Sequence, residues 1–354
     1  MHILLENYFK FIKRLIPHKT GGISVGLDIG PAECKLVAIS KNNNSFELKD
    51  LMVEPVSGGN INQTIGKILK RIKYPYQTLY TAVSGRGTLI RYIDMPRMSF
   101  DELLMSFDIE ADKYFPFPRD QIYSDCYILD PQGKGKQMSV MIAASRREMI
   151  DQRMKLLSEL GIQADFIGIN PVALTNAFNV LGFNEEKEVK SATAVALLDM
   201  GESVSTLTIL VDKLPRFTRD IFIGGQDFTK KISNALGVSF DEAEKLKSNP
   251  NKENEEKILA ACEDALMNMG LEIKLSFDYF STEKNTDISY LLLTGGASLL
   301  KGIPEFFQKK LDVKVSLWDP LSRIVLSKDL PIKEAQEKSL TLGVALGLAF
   351  YDYD

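Results

Sequence analysis

The chain alternates between two spacings of apolar residues, which predicts a mixture of strands and helices. Three short apolar runs near the start are typical of consecutive strands: Val25–Asp28, Lys35–Ser40 and Phe46–Val53. A helical spacing of isoleucine and leucine follows over residues 62–72. Three further strands are predicted later in the chain, in the same order: Thr193–Asp199, Ser205–Val211 and Leu214–Ile221. This repetition indicates two similar halves that are hinged over a cleft.

A different pattern separates the two halves. A strand is predicted at Leu89–Ile93, and the spacing of Ser99 and Glu102 is that of a capping box, which opens a helix that ends near Tyr114. Two more strands, at 122–129 and 138–144, precede a helix over residues 147–160. This order indicates a small α+β subdomain inserted into the first half.

The predicted organisation has four parts. They are an N-terminal amphipathic segment (1–20), a first lobe (21–86, completed by 167–188 and 338–354), an inserted subdomain (87–166) and a second lobe (189–337). A chain of 354 residues is too long for one ordinary core, which favours two lobes. A final helix is predicted from Ser339 to Tyr351, and its glycines suit a closely packed helix that returns to the first lobe.

Composition narrows the possible chemistry. The formal net charge of −4 offers no basic footprint for nucleic acid. The three cysteines are far apart and lack metal-ligand spacing, which favours a reduced, cytosolic protein. Histidine occurs only at His2 and His18, so serine–histidine or cysteine–histidine catalysis and histidine-ligated metals are nearly excluded.

Residues 1–19 have an amphipathic pattern. Apolar residues at helical spacing are interleaved with basic ones: Leu4, Leu5, Tyr8, Phe11, Ile12 and Leu15, with Lys10, Lys13, Arg14 and Lys19. The apolar positions are not contiguous, so the segment is not a secretory signal. Two interpretations stay open: a helix packed on the protein or a frayed tail, and a peripheral contact with an anionic membrane surface. The best apolar run, Leu340–Tyr351, is far shorter than the roughly 20 residues that a membrane span needs.

Each half begins with an apolar strand that ends in Asp-x-Gly, at Asp28 to Gly30 and at Asp199 to Gly201. Such a turn places backbone N–H groups near phosphate oxygens, and its aspartate can hold a hydrated Mg²⁺. Asp28 and Asp199 are therefore the candidate Mg²⁺ residues, acting through water. The other candidate phosphate-binding residues are Gly30, Lys35, Gly201, Ser203 and Ser205. The alternative is two hairpins that need Asp and Gly for turn chemistry alone.

A glycine-rich turn provides a candidate nucleoside platform. Gly295, Gly296 and Ala297 follow an apolar strand and leave room for a nucleoside because they lack bulky side chains; the alternative is a strand-to-helix turn that needs glycine. Two facing phosphate turns followed by this platform are the pattern of the actin/Hsp70/sugar-kinase superfold. Glu244 and Lys247 match the superfold's Ala-Glu-x-x-Lys ribose-contacting pattern, with an ordinary solvated helix face as the alternative.

Several longer stretches resemble the PilM family, actin-like proteins of type IV pilus assembly that are related to the cell-division protein FtsA. The resemblance covers nearly the whole chain and rests on residues 26–30, 110–118, 143–149, 217–220 with 223–225, and 294–298. The Phe-Pro-Phe-Pro run and the Ala-Ala-Ser-Arg-Arg-Glu stretch are more specific than the superfold motifs, because sugar kinases and chaperones lack them.

The resemblance implies a function. It implies an α/β, actin-like two-lobed fold with an FtsA-type inserted subdomain. It also implies a cytoplasmic adaptor that lies at the inner face of the inner membrane and binds ATP and Mg²⁺. The implied partner is the N-terminal tail of a PilN-like inner-membrane protein, bound beside the inserted subdomain at Tyr114, Phe115 and Phe117. A rigid helix stop with both phenylalanine rings buried is the alternative. Contacts with other pilus platform or motor proteins, and self-association, stay open.

One departure from the family bears on the nucleotide. PilM-like chains carry hydroxyl residues after the first Asp-x-Gly, whereas this chain has Pro31 and Ala32, which remove a backbone donor and a hydroxyl. Three other functions stay open: an ATP-dependent enzyme (an ATPase or a sugar kinase), a filament-forming scaffold like FtsA, and the cytoplasmic part of the type II secretion protein GspL. No base for a substrate hydroxyl can be assigned between the lobes, which favours the non-enzymatic adaptor.

Overall fold

The structure is a computed structural model that describes residues 22–42, 45–76, 78–183, 194–250 and 253–353. The predicted N-terminal segment and the predicted boundary at 188–189 lie outside the described residues.

The strands, numbered along the chain, are β1 (Ile23–Ile29), β2 (Glu33–Asn42), β3 (Ser45–Pro55), β4 (Thr78–Val83), β5 (Thr88–Pro96), β6 (Ile122–Ile128), β7 (Gln137–Arg146), β8 (Phe166–Ile169), β9 (Ala194–Met200), β10 (Ser205–Val211), β11 (Leu214–Ile221), β12 (Ile288–Thr294), β13 (Lys314–Leu317) and β14 (Val325–Leu326).

The α-helices are α1 (Ile61–Arg71), α2 (Phe100–Tyr114), α3 (Arg147–Glu159), α4 (Asn170–Leu181), α5 (Gly225–Leu236), α6 (Phe240–Ser248), α7 (Glu255–Lys284), α8 (Ile303–Lys310), α9 (Ile332–Lys338) and α10 (Gly343–Ala349). Helix α2 begins with the predicted capping box, because the Ser99 hydroxyl accepts the Glu102 amide at 3.3 Å and the Glu102 carboxylate accepts the Ser99 amide at 2.8 Å. None of the helices in the described part of the chain is long and apolar enough to cross a membrane.

Two sheets repeat one topology. The first has the order β14-β3-β2-β1-β4-β8 and the second has the order β11-β10-β9-β12-β13. In each, three antiparallel strands that follow one another in the chain are continued by two parallel strands. The duplicated halves that the apolar runs predicted are therefore confirmed. Strand β14 pairs with β3 in the first sheet, although residues 325–326 fall in the predicted second lobe; a two-residue strand is too short to have a recognisable period.

The main core lies between the two sheets. Helices α4 and α10 contribute to it together with Val37 and Tyr80 of the first sheet and Leu197 and Leu292 of the second. A second core covers the other face of the first sheet with α1 and α3, and a third covers the other face of the second sheet with α5 and α7. The molecule is therefore layered, with helices outside and between the sheets.

Helix α10 packs against its neighbours through backbone contacts. A Cβ atom built on Gly347 would lie 1.6 Å from the carbonyl oxygen of Ala173, and one built on Gly26 would lie 1.9 Å from that of Ala345. The close packing of this segment is as predicted. The predicted helix from Ser339 to Tyr351 is too long, because the regular helix spans only Gly343–Ala349. It is flanked by 3-10 turns at Ser339–Thr341 and Phe350–Tyr353.

The inserted region forms its own sheet in the order β5-β7-β6. Helix α2 covers it, with Leu103 and Phe107 in the shared core. The sheet also touches the second half of the molecule, where the hydroxyls of Tyr92 on β5 and Thr218 on β11 are 2.8 Å apart. This contact places the inserted sheet beside the second half.

Candidate functional site

The two Asp-x-Gly turns have the same internal hydrogen bond. The Gly30 amide donates to the Glu33 carbonyl at 3.1 Å, and the Gly201 amide donates to the Val204 carbonyl at 3.1 Å. Both amide N–H groups are used within the turns. The prediction that the N–H groups of Gly30 and Gly201 donate to a phosphate is therefore wrong. The equivalent geometry supports a common design of the two turns.

The two aspartates influence one another electrostatically. Asp28 lies opposite Lys35 in the β1–β2 register, and its carboxylate accepts from the Lys35 ammonium at 3.1 Å. Burial raises the pKa of Asp199 to about 6, the charge of Asp28 adds to the rise, and Lys35 opposes it. Burial lowers the pKa of Lys35, but the charges of Asp28 and Glu33 outweigh it, so the pKa is raised. The fold therefore brings Asp28, Asp199 and Lys35 together.

The carboxylates suit a hydrated divalent cation. Mg²⁺ prefers oxygen ligands and retains several of its waters, so two carboxylates meet its needs without a full protein cage. No group of three or more His, Cys, Asp or Glu residues with metal-holding geometry occurs in the parts of the chain that the structure describes. Asp28 and Asp199 therefore fit the predicted contact through water.

The two candidate serines of the second turn differ. Ser205 is fully buried, and its hydroxyl donates to the Ile223 carbonyl at 2.7 Å. The predicted phosphate contact of Ser205 is thus wrong, because this hydroxyl lies inside the strand pair. Ser203 is exposed and lines a cavity with Arg86 and Phe222. The Arg86 guanidinium lies 4.7 Å from the centre of the Phe222 ring, which joins the start of the inserted region to the second half.

The Gly295 turn packs directly on the end of β9. Gly295 has a φ of +86°, and a Cβ atom there would lie 2.5 Å from the Asp199 carboxylate and 2.6 Å from the Met200 carbonyl oxygen. A Cβ on Gly296 would meet nothing within 4 Å. Ala297 is buried and lies 3.3 Å from a Cβ built on Gly225. Gly296 is therefore the open position of the predicted platform, whereas Ala297 belongs to the core.

Lys247 is held inside the second half. It is 7% exposed, and its ammonium donates to the Gly225 carbonyl at 3.1 Å, the Thr229 hydroxyl at 2.7 Å and the Glu244 carboxylate at 2.7 Å. Three acceptors use all three ammonium protons. The solvated helix face considered for Lys247 is excluded, and its ammonium fixes α6 on α5 beside the platform. Glu244 is half exposed, so it retains access for a ligand hydroxyl.

Two charged residues near the site have no sequence signal. Arg153 on α3 donates to the Thr81 hydroxyl at 3.0 Å and to the Ile29 carbonyl at 3.4 Å. Burial lowers the pKa of its guanidinium and the charge of Asp28 opposes this. Helix α3 packs on the first sheet and not in the core of the inserted sheet, to which residues 147–160 were predicted to belong, so Arg153 reaches the end of β1 from within the first half. Burial, and then the charge of Glu244, raises the pKa of Glu202 in the second turn. Neither residue falls in a motif, and only the tertiary fold shows them.

The aromatic segment after α2 is mostly packed. Phe115 is 4% exposed, and its ring meets that of Phe107 at 6.2 Å. The ring completes the core of the inserted sheet, so Phe115 offers no exposed ring to the predicted peptide and matches the alternative of a buried ring. Tyr114 is half-buried beside Phe107. Phe117 is also half-buried, with the Arg146 guanidinium 4.8 Å from its ring centre, and it is the less buried phenylalanine of this segment.

Comparisons with known proteins agree on the fold. The sequence profile of a family described as type IV pilus assembly protein PilM matches residues 26–353. The cell division protein FtsA of Enterococcus faecalis (strain ATCC 700802 / V583) is 26% identical over 359 residues, covering 84% of this chain and 79% of that protein.

Solved structures show the same architecture. The chain is similar to one in the PilM-PilN type IV pilus biogenesis complex, with a TM-score of 0.81, 24% identity, and 94% of this chain and 98% of that chain covered. It is also similar to MreB5 of Spiroplasma citri bound to ADP, with a TM-score of 0.51, 12% identity, and 95% and 98% covered. The prediction of an actin-like fold is confirmed.

Proposed function

We propose, from the premise that the chain belongs to the type IV pilus assembly protein PilM family, that it is a non-enzymatic adaptor. It binds Mg²⁺-ATP between its two halves and the N-terminal tail of a PilN-like membrane protein beside its inserted sheet. The observation that carries the nucleotide part is the juxtaposition of Asp28, Lys35 and Asp199 at two equivalent turns. The partner follows from the likeness to a chain in the PilM-PilN complex.

The residues at the two turns have separate roles in nucleotide binding. Asp28 and Asp199 hold the hydration shell of Mg²⁺, which neutralises phosphate charge when it is bound. Lys35 and Arg153 supply fixed positive charge near the first turn, which lacks hydroxyls at Pro31 and Ala32. The similar structure of MreB5 is bound to ADP, which supports a nucleotide as the ligand of this fold.

We expect negligible hydrolysis of ATP. The chain's histidines are at positions 2 and 18, before the first sheet, and we assign no water-activating base to the turns. Phosphate release under saturating Mg²⁺-ATP should therefore stay well below about 1 s⁻¹, the lower end of typical enzyme rates. The Asp199→Ala variant provides the background rate. Sustained turnover at the enzymatic rate, lost in that variant, would contradict the adaptor and favour an ATPase.

We expect Phe117→Ala to weaken binding of a PilN-like tail by at least about tenfold, since a buried aromatic anchor commonly contributes about 2 kcal/mol or more. Fluorescence anisotropy with a labelled tail peptide measures the affinity. The reason is that Phe117 is half-buried beside Arg146 and is less buried than Phe115, so part of its side chain is available to an extended peptide.

Two control variants separate binding from folding. Phe115→Ala should lower the free energy of unfolding, because its ring is buried in the inserted core. Tyr127→Ala removes a 59% exposed ring from the other end of β6 and should leave tail affinity unchanged. If folded Phe117→Ala protein keeps full affinity, the peptide site is not at this segment.

The proposed tail would hold the adaptor at the cytoplasmic face of the inner membrane. The partner's tail then supplies the membrane link, and the adaptor's second half stays available to other platform or motor proteins of the pilus. Nucleotide occupancy would set the angle between the halves, because the two turns lie at the ends of strands from different sheets.

A further inference from the structure

Helix α7 carries an apolar stripe on its solvent face. Four side chains at intervals of four residues are exposed there: Met267 (43%), Leu271 (57%), Leu275 (49%) and Tyr279 (59%). We call these four residues the outer stripe. The opposite face of the same helix is buried in the core of the second half, through residues such as Leu266 and Ile273. The outer stripe runs from Met267 to Tyr279, which is about 18 Å of helix. Single exposed apolar residues are normal on protein surfaces, whereas a contiguous apolar patch such as this one marks an interaction site.

Four carboxylates and three cations lie beside the outer stripe. Glu263, Asp264, Glu272 and Asp278 are on or next to the same face, with Lys274 on the helix itself and Lys231 and Arg219 on neighbouring elements. Asp264 and Glu272 have ion-pair partners in Lys231 and Arg219, while Glu263 and Asp278 are exposed and unpaired among the described residues. Glu263 and Asp278 are therefore the acidic positions that basic residues flanking the apolar face of a bound helix would pair with.

This chain contains a segment with those properties. The apolar residues between Leu4 and Leu15 recur at helical spacing, and Lys10, Lys13, Arg14 and Lys19 are basic. As a helix, residues 4–15 would extend about 17 Å, which matches the outer stripe. The segment lies outside the described residues and precedes β1.

The layered fold argues against binding within one molecule. Strand β1 begins at Ile23 in the first sheet, whereas α7 covers the far face of the second sheet, with the layer of α4 and α10 between the sheets. Three layer spacings of about 10 Å each give a separation of roughly 30 Å. The chain from Leu15 to Ile23 spans eight Cα–Cα steps and reaches at most about 29 Å when fully extended. The direct path of that length would run through the core between the sheets, so the linker is too short to go around it.

We therefore propose that the outer stripe binds the N-terminal amphipathic segment of a second copy of this chain. The apolar faces of the two helices bury one another, and the basic flanks meet the acidic residues of α7. This self-association does not depend on the nucleotide or tail sites.

Sedimentation velocity of the full chain over a wide range of concentrations tests the proposal. The wild-type protein should show a concentration-dependent increase in mass that weakens at high salt. Leu271→Glu with Leu275→Glu, and separately Leu5→Glu with Phe11→Glu, should each weaken association by about tenfold or more. Ile332→Glu, at a 50% exposed position on α9, is the matched control and should associate normally. Circular dichroism confirms that each variant is folded.

Three results would overturn the proposal. One is a wild-type chain that stays monomeric at every concentration, and another is full association after Leu5→Glu with Phe11→Glu. The third is a cross-link from a photo-reactive residue at position 11 to α7 in a product of monomer mass, which would show binding within one molecule. The same cross-link in a product of dimer mass supports the proposal.

Discussion

Gly347→Ala is expected to lower the free energy of unfolding by at least about 3 kcal/mol. The added Cβ would lie 1.6 Å from the carbonyl oxygen of Ala173 on α4, and the neighbouring atoms are backbone rather than flexible side chain. Helix α10 or α4 must therefore move within the core that both sheets share. Urea unfolding followed by circular dichroism measures the change.

Gly66→Ala is the matched control for that prediction. Gly66 also lies inside a helix, but the nearest atom to its added Cβ is in the Leu160 side chain at 3.9 Å, an ordinary contact. Alanine should therefore stabilise α1 by roughly 0.5–1 kcal/mol. Equal unfolding midpoints for Gly347→Ala and wild-type protein would show that the α4–α10 contact is looser than described.

Asp199→Ala is expected to weaken Mg²⁺-ATP binding by at least about tenfold, corresponding to the roughly 1.5–3 kcal/mol of a charge-assisted contact. Binding should also weaken as the pH falls below 6 in the wild-type protein. The pKa of Asp199 is about 6, so its carboxylate is charged above that pH and neutral below it. Isothermal titration over this pH range measures both effects.

Asp312→Ala is the control for loss of a carboxylate. Asp312 is exposed between α8 and β13, away from the two turns, so its removal should leave nucleotide affinity and its pH profile unchanged. An Asp199→Ala protein that binds Mg²⁺-ATP as tightly as wild type would place the phosphates elsewhere.

The sequence predicted the elements whose pattern is local. The paired Asp-x-Gly turns, the capping box at Ser99 and the apolar strands of the two sheets depend on neighbours within a few residues. Strand β14 was not predicted, because two residues have no period and its pairing with β3 is a long-range contact.

The chemistry of the site was less predictable than its position. Ser205 and Lys247 have suitable polar groups, but their hydrogen bonds go to Ile223 and to three acceptors between α5 and α6. Arg153 reaches Ile29 from a helix 124 residues further along the chain. Which polar group faces a ligand and which one joins two elements depends on tertiary packing, and local spacing does not contain that information.

Isothermal titration of the chelator-treated, full-length protein with ATP, in the presence and absence of Mg²⁺, tests nucleotide binding between the two halves most directly. We expect one saturable binding event per chain with Mg²⁺, much weaker binding without it, and a matching rise in the thermal unfolding temperature. Absence of both heat and thermal stabilisation at millimolar Mg²⁺-ATP would contradict the nucleotide-binding adaptor, because Asp28, Lys35 and Asp199 would then serve the turns alone.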